Sequence, residues 1–192
     1  SGHFSPGNRT LIILDTAPAL AAMAATYASQ INAWRATELL SDTATLSWNQ
    51  VSSLELLGHF VGGSSLTIQD QASVLAAHAA DALMQGAATV LLSQPATVSA
   101  QDASQLATIA HFSRGTSTLT VADTPAGMAG LSAQGATIST AQRLVAQTQQ
   151  NQDAFTIDAQ ALSALVALPA LDTTGFAGTV ILSDTADHLA SV

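Results

Sequence analysis

Three histidines recur in one context: HFSPG at residues 3–7, HFVGG at 59–63 and HFSRG at 111–115. Imidazoles repeated in register suggest a ladder of metal sites. If each repeat holds two strands of one sheet, equivalent histidines stand roughly 9–10 Å apart at about 4.8 Å per strand. Two imidazole nitrogens on one zinc ion must lie within roughly 3–4 Å, given bonds near 2.1 Å. His3, His59 and His111 therefore cannot share a metal, and the expectation for them is a structural place beside a turn that ends a helix. His78 and His188 stand alone, with no H-E-x-x-H or H-x-H around them. The reading includes no metal, no cofactor and no catalytic residue.

Aspartates recur as well: Asp15, Asp70, Asp123 and Asp184 each end a short apolar run. Clustered carboxylates attract calcium, but the same spacing separates these four, and the calcium-binding nonapeptide G-G-x-G-x-D is absent. Helix capping is the better account, because a side-chain oxygen there can accept from the free amides of a first helical turn. Serines are plentiful, yet no G-x-S-x-G elbow positions one. The phosphate-binding loops G-x-G-x-x-G and G-x-x-x-x-G-K-[ST] are missing, and a chain without lysine cannot form the second. Without cysteine there is no disulfide framework, thiolate metal site or thiol nucleophile. Trp34 and Trp48 could stack on a sugar, against the reading that both belong to the core.

The elements that position these residues repeat. LIILDT at 11–16 returns as LTIQDQ at 66–71, LTVADT at 119–124 and VILSDT at 180–185. Between them ATELLSDTATLS at 36–47 matches ATVLLSQPATVS at 88–99 without a gap, 52 residues on, and Thr156-Ile157-Asp158 keeps a trace of a third copy. Helical runs follow with apolar residues in matching places: Leu54, Leu57, Phe60; Leu106, Ile109, Phe112; Leu165, Leu168, Leu171. Each unit reads strand–helix–strand–helix, with Ser47, Ser99 and Asp158 capping the second helix and the acid or hydroxyl that ends each strand, Asp15/Thr16, Asp70, Asp123/Thr124 or Asp184/Thr185, capping the helix that follows.

Strands alternating with helices predict a parallel sheet. Tandem recurrence predicts a right-handed α/β solenoid with one parallel sheet, in the layout of leucine-rich repeats though without their motif. The boundaries are residues 1–10 as the end of a preceding repeat, 11–65, 66–118, 119–178 and 179–192 as the start of a fourth. Because both ends fall inside a repeat, the expectation is a piece of a longer array. The glutamine-rich residues 141–155 break the period and are expected to project as an insertion.

Composition narrows the function classes. Four arginines against 13 acids leave a net charge of −9, too few cations to displace counterions from nucleic acid or to hold an anionic membrane surface. No apolar run reaches the roughly 18 residues of a membrane span. Phrases such as LTVADTPA (119–126), ATVSAQDA (96–103) and LATIAHF (106–112) resemble the Ala/Thr/Ser-rich repeats of large secreted bacterial surface proteins. That resemblance implies export, a place at the cell surface, and a role in adhesion, biofilm or surface coating. The expectation is a non-catalytic structural or adhesive module whose partners are flanking repeats of its own polypeptide. A carbohydrate- or ligand-binding domain, taking a surface glycan or protein, is the alternative. The uniformly apolar strand at 11–14 and the last one at 179–183 predict end-to-end self-association.

Overall fold

The computed structural model describes residues 10–131, 143–146, 154–168, 171–172 and 179–185. Over these residues the chain is mixed α/β, and the strand pairs whose register is defined are all parallel. Strand β1 (Ile12–Asp15) leads through helix α1 (Ala17–Trp34) into β2 (Thr37–Leu40) and β3 (Ala44–Leu46). Helix α2 (Trp48–Glu55) is followed by the short β4 (Phe60–Val61), then β5 (Leu66–Asp70). Two short helices, α3 (Ala72–Ala77) and α4 (Ala82–Gly86), reach β6 (Thr89–Leu92) and β7 (Ala96–Val98). After α5 (Ala100–Ala107) come β8 (Phe112–Ser113), β9 (Leu119–Asp123) and α6 (Pro125–Leu131). The described C-terminal elements are β10 (Arg143–Ala146), β11 (Ala154–Ile157), α7 (Ala159–Val166), β12 (Leu171–Asp172) and β13 (Thr179–Leu182).

Instead of the single expected sheet there are four small ones among the described residues, in the orders β1-β2-β4, β3-β5-β6-β8, β7-β9-β10-β12 and β11-β13. The cause is a break inside each extended stretch. Residues 41–43 separate β2 from β3, so the first half pairs with β1 and β4 while the second pairs with β5. Residues 93–95 likewise divide β6 from β7. Gly63 and Gly115, at φ of 53° and 59°, turn the chain between β4 and β5 and between β8 and β9, a conformation glycine adopts without the Cβ penalty. Partner positions such as Ile12↔Thr37, Glu38↔Phe60, Ala96↔Leu119 and Ala154↔Thr179 lie 25, 22, 23 and 25 residues apart.

The stretch expected as an insertion supplies a sheet strand. Arg143–Ala146 is β10, hydrogen-bonded between β9 and β12 with Leu144 buried, and β11 begins at Ala154. Its residues 141–142 and 147–153 lie outside the described residues.

By contact the chain divides into two compact units, one of Ser1–Asp70, His78–Leu91 and Ile109–Ser113, the other of Gln71–Ala77, Leu92–Thr108 and Arg114–Val192. The first encloses a core of Leu20, Ile31, Val51, Leu54, Leu57, Leu66, Ile68, Met84 and Val90. The second buries Leu75, Ala103, Leu106, Leu119, Val121, Met128 and Leu131. Strand alternation serves both cores. Leu66 and Ile68 point inward while Gln69 faces solvent, and Leu119 and Val121 repeat the pattern in β9. In β1 the corresponding outward places are apolar, and Ile12 and Leu14 are 58% and 62% exposed.

Candidate functional site

The recurring polar residues converge on helix N-termini. Ser47, Ser99 and Asp158 are the N-caps of α2, α5 and α7, and their side chains accept from the amides of Gln50, Asp102 and Ala161. At α2 the Gln50 side chain also accepts from the Ser47 amide at 2.9 Å, closing a capping box.

At α6 the hydroxyl of the expected Asp123/Thr124 pair caps the following helix, while the strand-ending carboxylates reach back to an earlier helix. Asp70 Oδ2 accepts from the Trp48 amide at 2.9 Å, Asp123 Oδ2 from Ala100 at 2.8 Å, and Asp184 Oδ2 from Ala159 at 3.0 Å. Each therefore closes the first amide of a helix that starts 22 to 25 residues earlier in the chain. Strand register is the reason. Leu46 lies beside Ile68, Val98 beside Val121 and Ile157 beside Leu182, so two residues further on each aspartate stands against the first residue of the neighbouring helix. The other carboxylate oxygen takes the next amide of its own chain, Thr124 at 2.7 Å and Thr185 at 2.6 Å. Asp15 accepts from Thr16 in the same manner at 2.8 Å. Two of the helices that follow can be compared directly. At α6 the Thr124 hydroxyl accepts from the Gly127 amide, and Thr16, N-cap of α1, makes no side-chain cap bond.

A second cluster surrounds one of these clasps. Trp48, a residue 7% exposed, stacks its ring on His78 with centroids 4.5 Å apart and planes at 25°. His78 Nδ1 lies 2.8 Å from Asp81 Oδ2. Asp81 is the N-cap of α4 yet makes no cap bond there, because its carboxylate is turned to the imidazole. With its proton on Nδ1, His78 donates to Asp81 and leaves the Nε2 lone pair as an acceptor or base. A base needs a nucleophile within hydrogen-bond reach for acyl transfer, and among the described residues no hydroxyl is bonded to His78. The arrangement braces the α3–α4 turn against the start of α2. His78 was not expected to have partners; its i, i+3 spacing from Asp81 was the available signal. Trp48, read as a sugar platform or core, has the face of its ring against His78.

The recurring histidines His59 and His111 are exposed and serve through their backbone: their carbonyls accept from the amides of Glu38 at 3.3 Å and Val90 at 3.0 Å. His3 and His188 lie outside the described residues. Among the described residues no group of three His, Asp or Glu side chains could hold a metal ion.

Two side chains carry buried oxygens with no hydrogen bond among the described residues, Asn32 through Oδ1 and Glu38, fully buried, through both carboxylate oxygens. Burial pushes the Glu38 carboxyl above the ordinary value, offset in part by its own backbone amide, the charge of His59 and the His59 amide. The signal for it was in the repeat, where Glu38 aligns with Val90. No protein-family model, curated protein or solved structure matches the chain.

Proposed function

We propose that this chain is a non-catalytic structural and adhesive repeat module of a larger secreted bacterial surface protein, folded as a right-handed α/β solenoid. The observation that carries the reading is the carboxylate clasp, repeated at α2, α5 and α7 with the same atoms in the same register. In a repeat array each unit contacts its neighbours, so the same joint recurs along its length. The parallel registers suit rungs of 22 to 27 residues, each a strand segment and a helix. Adhesion and export rest on the sequence resemblance and on the lysine-free, cysteine-free, acidic composition. The alternative, a carbohydrate-binding domain with Trp48 as platform, has less support, since that ring is buried and already stacked. The exposed apolar side chains of β1, an end strand among the described residues, favour self-association through this edge.

Single-molecule pulling tests the array. A solenoid unravels in rung-sized steps of about 80 Å, at roughly 3.5 Å per extended residue, while one all-or-none rip of the whole chain would count against it. Display of the chain on a non-adherent bacterium tests the role, and attachment no better than that of the undecorated cell would refute the adhesive part.

A further inference from the structure

We propose that Glu38 makes the β1–β2–β4 sheet a proton-operated latch, closed while the carboxyl is neutral and loosened when it ionises. The geometry is that of a core position occupied by an acid. Glu38 is in register with Ile13 of β1 and Phe60 of β4. It is fully buried, and no hydrogen bond reaches either oxygen. The equivalent strand β6 carries Val90 there, also fully buried, and its amide donates to the carbonyl of His111 as that of Glu38 donates to His59. The two strands thus share a backbone arrangement and differ by one ionisable side chain.

Among the described residues one other titratable group acts on Glu38. His59, at the entry to β4, contributes a charge that favours the carboxylate while the imidazole is protonated. From β1 the in-register residue is Ile13; Asp15, two residues further along that strand, accepts from the Thr16 amide. The buried residues of α1 are Ala17, Leu20, Ala24 and Ile31, and those of α2 are Trp48, Val51 and Leu54, all uncharged. Asn32 is neutral and donates to the Leu56 carbonyl. Among the described residues an ionised Glu38 therefore has no side-chain hydrogen-bond donor, and the Glu38 and His59 amides with the His59 charge offset its desolvation only in part, so ionisation disfavours the closed sheet.

The sign follows from the raised carboxyl. The folded chain holds this proton more tightly than the unfolded one, so the stabilisation is complete below the ordinary carboxylate range. It is lost as pH rises through the elevated folded value and is level above it. Within that window the opening constant of the sheet rises by up to about tenfold per pH unit.

Hydrogen exchange read residue by residue on the full chain tests this between about pH 4 and 8, with the valine strand as an internal reference. Once intrinsic chemical exchange is removed, protection at Thr37, Glu38 and Ser41, whose amides are bonded to Leu11, His59 and Asp15, should fall with pH by up to about tenfold per unit. Protection at Val90 should not. Glu38→Val, which installs the residue the equivalent strand already carries, and Glu38→Gln should each remove the excess. Equal pH dependence at Glu38 and Val90 in the unaltered chain, or an excess that survives in Glu38→Val, would overturn the proposal.

Discussion

Replacing Asp123 probes the clasp most directly, since both of its oxygens accept from backbone amides, Ala100 at 2.8 Å and Thr124 at 2.7 Å. Loss of one cap acceptor costs about 1 kcal/mol, and loss of a carboxylate at a helix N-terminus a further 0.3–1 kcal/mol or so. Asp123→Ala should therefore destabilise by about 2 kcal/mol, and Asp123→Asn, which keeps one acceptor oxygen, by about 1 kcal/mol. For a chain of this size those values lower Tm by roughly 4–8 °C and 2–4 °C. Thermal and urea unfolding followed by circular dichroism would read them. The cycle with Ser99→Ala is the stricter assay. Ser99 and Asp123 serve the same first turn of α5, so their effects should couple by about 0.5 kcal/mol or more, whereas Ser47→Ala with Asp123→Ala should add. A cost below about 0.5 kcal/mol for Asp123→Ala, or Asp123→Asn equal to the unaltered chain, would refute the reasoning.

Two glycines of α6 should respond with opposite signs. A Cβ at Gly130 meets nothing within 4 Å, so Gly130→Ala should stabilise by about 0.5–1 kcal/mol, but one at Gly127 would lie 2.6 Å from the Asp123 carboxyl and push on the clasp, so Gly127→Ala should destabilise in the same unfolding assay. Trp48→Ala should cost about 3–5 kcal/mol by emptying a buried site, and His78→Ala only about 1 kcal/mol through the lost stack and a part-exposed hydrogen bond to Asp81; equal costs would mean that the histidine, not the core, anchors the indole. Sedimentation at rising protein concentration should reveal association, and Leu14→Lys, at a 62% exposed position on the end strand β1, should suppress it.

How far the sequence discloses this arrangement depends on the range of each interaction. Ser47, Ser99 and Asp158 are readable because an N-cap bonds three residues ahead, and the apolar positions of α2 and α5 are readable from local period. The role of Asp70, Asp123 and Asp184 depends on strand register with a partner 22 to 25 residues away, which no local pattern encodes. The division into four sheets turns on links as short as 41–43, whose residues resemble any polar turn. Strand β10 was invisible for another reason: it is four residues long in a glutamine-rich setting, too short for an apolar alternation to declare the side that buries Leu144. Glu38 could have been found by asking why one copy of the repeat breaks the apolar alternation of the other.

The clasps run one way along the chain: α2 waits for Asp70, α5 for Asp123 and α7 for Asp184. A polypeptide that emerges N-terminus first thus presents each of these helices with one uncapped amide until some two dozen further residues have appeared. Every joint is completed from behind. Consolidation trails emergence by about one rung, so the segment nearest the exit stays pliable while earlier ones harden.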